Sequence, residues 1–201
     1  CPLAFGTQTI GSIGRPAAFC GIVGVKPSYN RIPTDGVIPS SPSLDTVGYF
    51  TQDVEGAQLT AAVLCDDWRP LSPQDQPTLG IPEGPYLDQV TDSGHAAFEQ
   101  HVDRLVAAGY DIERVTVLEN ISAVNERHKQ LVAAEMAVAH EEFYQEYGDQ
   151  YADPTHELLE RGRELTAAEL AHGRHGRKRL RSTLETRMDE ANIDVWIAPA
   201  A

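Results

Sequence analysis

Apolar and polar positions follow different rules in different parts of the chain. Between residues 92 and 108 they recur at helical spacing, with Phe98, Val102, Leu105 and Val106 on one face. Gly109 is placed to end that helix, and Asp92 or Ser93 to cap its start. Short apolar stretches flank it, at 78–81 and at 110–117, the alternation of the second broken at Arg114. Strand, helix, strand in this order predicts a βαβ unit with parallel pairing. A shorter helix is predicted from Asp53 to Leu64, capped by Thr51. Asp53 and Glu55 lie at its positive end, and Val54, Ala57, Ala61 and Leu64 share one face. Two long helical stretches follow at 121–147 and 155–191, and 194–198 reads as a short buried strand.

Residues 66–78 are polar and hold Pro70, Pro73 and Pro77, so they read as a surface connection. Residues 1–50 have no sustained period. Gly, Pro, Ser and Thr separate short apolar stretches, of which Ala18–Val25 is the longest, and the region reads as tight turns with a buried strand at 22–25. The pattern as a whole predicts an α/β fold, a mixed sheet covered by helices. The chain opens on Cys1 and closes on the strand-like Asp194–Pro199 stretch. It therefore reads as a single domain, 1–201, incomplete at both ends.

Composition narrows the function classes. The chain has 201 residues and a formal charge of -14, from 30 acidic and 16 basic side chains. That balance opposes nucleic-acid binding, which needs a cationic footprint. No apolar run reaches membrane-spanning length and no charged-then-apolar leader opens the chain, so a soluble, cytoplasmic protein is expected. Cys1, Cys20 and Cys65 suggest neither a disulfide framework nor a zinc ribbon. The basic side chains from Arg161 to Arg181 are interspersed with acids and read as a solvated helix face laced with ion pairs.

One segment carries chemistry. In Gly6-Thr7-Gln8-Thr9-Ile10-Gly11-Ser12-Ile13-Gly14-Arg15-Pro16-Ala17-Ala18-Phe19-Cys20-Gly21, glycines bracket a serine. Acyl transfer needs a nucleophile exposed on a constrained turn. It also needs backbone N–H groups converging where the carbonyl oxygen becomes negative. A glycine-rich turn supplies both, because few side chains block the backbone.

This string resembles the signature of the amidase signature family. The likeness continues through Gly24-Val25-Lys26-Pro27, Gly36-Val37-Ile38-Pro39 and Ser43-Leu44-Asp45-Thr46-Val47-Gly48. Residues 1–50 are thus the signature region and 51–201 the helix-and-strand remainder of an amidase-type domain. The resemblance implies a Ser–cis-Ser–Lys triad with Ser12 as nucleophile. It places the oxyanion hole at the backbone N–H groups of Thr9, Ile10, Gly11 and Ser12. It implies no cofactor and no metal. Position 10 is Ile where the family commonly has Gly, which adds bulk near the acyl site; position 8 is Gln where many members have Asp. The family's Lys and cis-Ser lie upstream of the Gly-Thr-[DQ]-Thr string, and neither is among these 201 residues. The resemblance therefore implies a further N-terminal segment that carries them. Lys26 matches the family's Gly-Val-Lys-Pro stretch and not its base.

Other candidates read as structural. Cys20 sits in an apolar run and is expected to be buried and inert. His172 and His175 lack further ligands at metal-binding spacing, and Gly173 and Gly176 weaken the helix around them. Glu135 and the Glu141-Glu142 pair are expected on a solvated helix face. The expected function is an amidase acting on a small-molecule amide through a serine acyl-enzyme, with no nucleic-acid or membrane partner and with homo-oligomerisation left open. The alternatives are a subunit of a glutamine-dependent tRNA amidotransferase complex, or a non-catalytic truncated relative. Incompleteness predicts apolar surface and unpaired strand edge near Cys1 and near Ala201.

Overall fold

The computed structural model describes residues 1–70 and 76–200. The fold is α/β, as the pattern predicts, and the chain divides into two compact units. The predicted surface connection at 66–78 lies partly outside the described residues, as does Ala201.

The first unit comprises Cys1–Leu71 and His128–Ala171. Its sheet is antiparallel, with β3 (Thr46–Thr51) between β1 (Leu3–Gln8) and β2 (Val23–Val25). β1 pairs along its whole length, from Leu3 opposite Thr51 to Gln8 opposite Thr46. The short helix α1 (Gly14–Cys20) links β1 to β2, and α2 (Val54–Leu64) follows β3. Ile32, Val47, Tyr49, Ala57, Ala61 and Cys65 form the core between sheet and α2. Tyr49 is 2% exposed and donates its hydroxyl proton to the Ala57 carbonyl at 2.9 Å. Asp53, not Thr51, caps α2: its carboxylate accepts from the Gly56 N–H at 2.7 Å. Thr51 instead donates to the Asp53 carbonyl. Val54 is exposed, so the buried face of α2 is carried by Ala57 and Ala61.

Both long helical stretches are interrupted. The first becomes α4 (Ile121–Ala139) and α5 (Glu141–Tyr147), parted at His140. The second becomes α6 (Asp153–Glu164) and α7 (Ala167–Ala191). Thr166 and Glu169 explain the second break. The Glu169 carboxylate accepts from the Thr166 N–H and hydroxyl, and the Thr166 hydroxyl accepts from the Glu169 N–H, a reciprocal box that starts a new helix. The basic run behaves as expected, with Arg163 on Glu160 and Glu141 and Arg181 on Glu185.

The second unit comprises Ser72–Arg127 and His172–Ala201. β4 (Leu79–Glu83) runs parallel to β5 (Ile112–Thr116) and to β6 (Val195–Trp196), in the order β5-β4-β6. Helix α3 (Asp92–Ala107) makes the crossover from β4 to β5, the βαβ unit that the pattern predicts. Ile81, Leu87 and Val102 are buried here, with Phe98, Ile112 and Ile197 packed against them, whereas Val106 is exposed. Thr91, not Asp92 or Ser93, caps α3 through its hydroxyl on the Gly94 N–H. Gly109, at φ +90°, ends it. Pro82 has no N–H to give, and β6 pairs β4 only at Leu79 and Gly80, so a proline is tolerated in this central strand. Gly176 lies buried within α7, where a Cβ would overlap the Arg127 guanidinium. It permits close packing in an unbroken helix rather than weakening it.

In the first unit Phe5, Ile10 and Phe19 are exposed, Phe19 by 84%, and among the described residues β1 and β2 each pair with β3 alone. In the second unit β6 pairs only with β4 among the described residues, and Val195 is exposed.

Candidate active site

The turn that carries Ser12 joins the end of β1 at Gln8 to the start of α1 at Gly14. Three side chains fix it. Ile13, fully buried, is the apolar anchor. It sits over the sheet where two strands lack side chains. A Cβ at Gly48 would come within 2.5 Å of Ile13 Cδ1 and overlap the Val25 carbonyl, and one at Gly24 would stand 3.1 Å from the Ile13 carbonyl oxygen. The glycines of Val-Gly-Val and Thr-Val-Gly-Tyr are therefore the floor on which the turn rests.

Gln8 is the second. Its Oε1 accepts from the N–H groups of Ile13 (2.9 Å) and Gly14 (3.0 Å), and its Nε2 donates to the Ile10 carbonyl (3.1 Å). One carboxamide so spans the turn from both sides. A carboxylate at position 8 could accept from the two N–H groups but could not donate to Ile10, which gives the Gln a definite local role.

Asp45 is the third. Its Oδ1 accepts from the Thr9 hydroxyl at 2.5 Å, and its Oδ2 accepts from the N–H groups of Ser40 (2.7 Å) and Ser41 (2.9 Å). The carboxylate ties the turn to residues 40–45, and all its partners lie in the first unit. Beside it is a small cavity of about 40 Å³ lined by Thr7, Thr9, Val37, Ile38, Ser40 and Asp45, among others.

The turn held in this way presents Ser12 exposed, and Ile10 beside it 56% exposed. Among the described residues, neither the Ser12 hydroxyl nor the N–H groups of Ile10, Gly11 and Ser12 make a hydrogen bond. Lys26 donates from Nζ to the Pro27 carbonyl at 2.9 Å, and partial desolvation of its ammonium group lowers its pKa.

Two expectations are corrected. Cys20 is exposed, because α1 buries only Ala17 and leaves Phe19 and Cys20 on its outer side. Glu135 is not on a solvated face. It is 5% exposed, and its Oε2 accepts from the Ser41 hydroxyl (2.7 Å) and the Ser43 N–H (3.0 Å). The sequence carries a signal for this, since Glu135 is the lone acid of the apolar run Leu131–Ala139. The roles of Gln8 and Asp45 escape pattern reading, which has no rule for side chains that bind a turn's backbone from a distance.

The architecture is that of the amidase-signature enzymes. A crystal structure of an amidase matches 96% of this chain with a TM-score of 0.88 and 29% identity, the match covering 44% of that chain. The chain belongs to the Amidase family, which it matches over residues 1–201. It is 45% identical over 84 residues to a glutamyl-tRNA(Gln) amidotransferase subunit from Brachyspira hyodysenteriae, which is 42% of this chain and 17% of that protein. It is 37% identical over 118 residues to 2-amino-5-chloromuconic acid deaminase of Comamonas testosteroni, which is 56% of this chain and 25% of that protein. The chain thus spans less than half the length of each. No helix among the described residues is long and apolar enough to cross a membrane.

Proposed function

We propose that the protein is an amidohydrolase that cleaves a carboxylic amide C–N bond through an acyl-enzyme on Ser12. The observation that carries this is the braced turn. Ser12 is exposed with a free hydroxyl, on a backbone that Gln8, Ile13 and Asp45 hold from three sides. Ser12 Oγ attacks the substrate carbonyl and loses its proton to the base. The negative oxygen of the tetrahedral intermediate is received by the N–H groups of Thr9, Ile10, Gly11 and Ser12. Collapse expels the amine, which takes a proton, and water then cleaves the ester and restores Ser12. By the family resemblance, the base would be a lysine acting through a bridging serine, neither of which is among these 201 residues. Thr9 donates its hydroxyl proton to Asp45, and Ile10 borders the position of the acyl group.

The experiment is turnover of a panel of small amides by the full-length protein with hydroxylamine present. Formation of the hydroxamate at the expense of the acid reports a shared acyl-enzyme, and its loss in Ser12→Ala assigns it to this serine. Acid release with no hydroxamate contradicts the mechanism. A second reading, one component of a glutamyl-tRNA amidotransferase complex, is favoured by the 45% identity to the Brachyspira protein. It predicts that glutamine alone among the amides is hydrolysed, and only when the other components of the complex are added.

A further inference from the structure

We infer that Glu135 of α4 is a positioning residue for the Ser12 turn, an inference that rests on the nucleophilic role proposed for Ser12. A carboxylate that is 5% exposed is costly unless its oxygens are satisfied. Glu135 directs one oxygen, Oε2, at two donors of a single loop, the Ser41 hydroxyl and the Ser43 N–H. Ser41 is itself fully buried. One of these donor residues, Ser41, also stands at the corner where Asp45 takes its own partners, and Ser43 follows two residues later. The N–H of Ser41 and of its neighbour Ser40 point to Asp45 Oδ2, and Asp45 Oδ1 holds the Thr9 hydroxyl. The hydrogen bonds therefore run without a gap from Glu135 through Ser41 and Asp45 to Thr9, the first residue of the proposed oxyanion hole.

A second side chain of the same region grips the same loop. His140, just beyond the end of α4, donates from Nε2 to the Pro39 carbonyl at 2.8 Å, and its Nδ1 lies 2.7 Å from the Tyr151 hydroxyl. Residues 39–43 are thus held at three points from α4 and its C-terminal end, none of which depends on Ser12. An apolar side chain at 135 would fill the space. It would not fix the register of the loop, and a shift in register would move the two N–H groups away from Asp45. Glu135 therefore sets where Thr9 stands, and through it the geometry of the donors that receive the developing negative charge.

The test uses the full-length protein, a small amide substrate and a fluorophosphonate probe. Glu135→Gln keeps one oxygen able to accept from both donors, and is expected to retain kcat within about twofold. Glu135→Ala should lower kcat by about 10- to 100-fold with KM little changed, and should slow labelling of Ser12 in parallel, less than the loss of an oxyanion donor itself. In a Thr9→Val background, which already cuts the chain of hydrogen bonds, Glu135→Ala should cost little more. A folded Glu135→Ala protein with wild-type kcat and labelling rate overturns the inference, and so does full additivity with Thr9→Val. If Glu135→Ala does not fold, Ser41→Ala decides: it removes one of the two donors, and an unchanged kcat overturns the inference. Absence of Ser12 labelling in the wild type removes the proposed function and this inference together. Equal labelling in wild type and variant removes the inference alone.

Discussion

In the parallel sheet β5-β4-β6, apolar side chains of strands and crossover helix meet each other: Ile81 and Val102 in the centre, Phe98, Ile112 and Ile197 around them. In the antiparallel sheet β1-β3-β2, the face that supports the Ser12 turn is made by the absence of side chains, at Gly24 and Gly48 beneath Ile13. The parallel sheet is built by burial, which tolerates exchange of one apolar residue for another. The floor beneath the turn is built by close approach and by side chains bonded to backbone, which do not tolerate it. The turn proposed to carry the nucleophile is on the second kind of structure.

That contrast is sharpened first at Ser12 itself. Ser12→Ala in the full-length protein should reduce kcat by at least about 10³-fold, while the thermal melting curve stays unchanged. A large loss of stability would mean that Ser12 belongs to the scaffold. Next come the two positions beneath and beside the turn that have least room to change. Gly48→Ala should destabilise by about 3 kcal/mol, because the new Cβ would meet the Val25 carbonyl, backbone that cannot step aside. Gln8→Leu should cost about 2 kcal/mol through the N–H groups left unmatched at Ile13 and Gly14, and should lower kcat as well. Gly80→Ala, in the parallel sheet, has its nearest contacts with the side chains of Ile193 and Trp196, at 2.7–2.9 Å. These are side chains and not backbone, but Ile193 is buried, so a cost of about 2 kcal/mol, still below that at Gly48, is expected, with kcat intact. Denaturant melts of the three variants rank the two kinds of packing directly, and Gly80→Ala exceeding Gly48→Ala would reverse the comparison. Least of all, Cys20→Ala on the exposed side of α1 should change stability by under about 0.5 kcal/mol.

The same contrast decides what can be read from the sequence. The βαβ unit is legible because hydrophobic period and length suffice to place β4, α3 and β5, down to Gly109 at the helix end. The turn at 9–13 is legible only through its resemblance to a known signature, since a Gly/Ser string has no period. β1 and β3 are not separable by pattern from the loops around them, because Gly6 and Gly48 interrupt their alternation. Helix ends are misread where two capping residues stand close together. Thr51 and Asp53 are both of capping type in sequence, and geometry gives the place to Asp53. The break at Thr166 is visible as a Thr-Ala-Ala-Glu box. Glu135 shows the opposite limit, for its partners Ser41 and Ser43 are more than ninety residues away and no local rule connects them.

Reaction of the full-length protein with a fluorophosphonate, followed by peptide mapping of the modified side chain, bears on all of this at once. A single adduct on Ser12, absent from Ser12→Ala and blocked by a competing amide substrate, is the predicted result. An adduct on another serine, on Cys20 or on none of these, in a protein that still hydrolyses the amide, would contradict it.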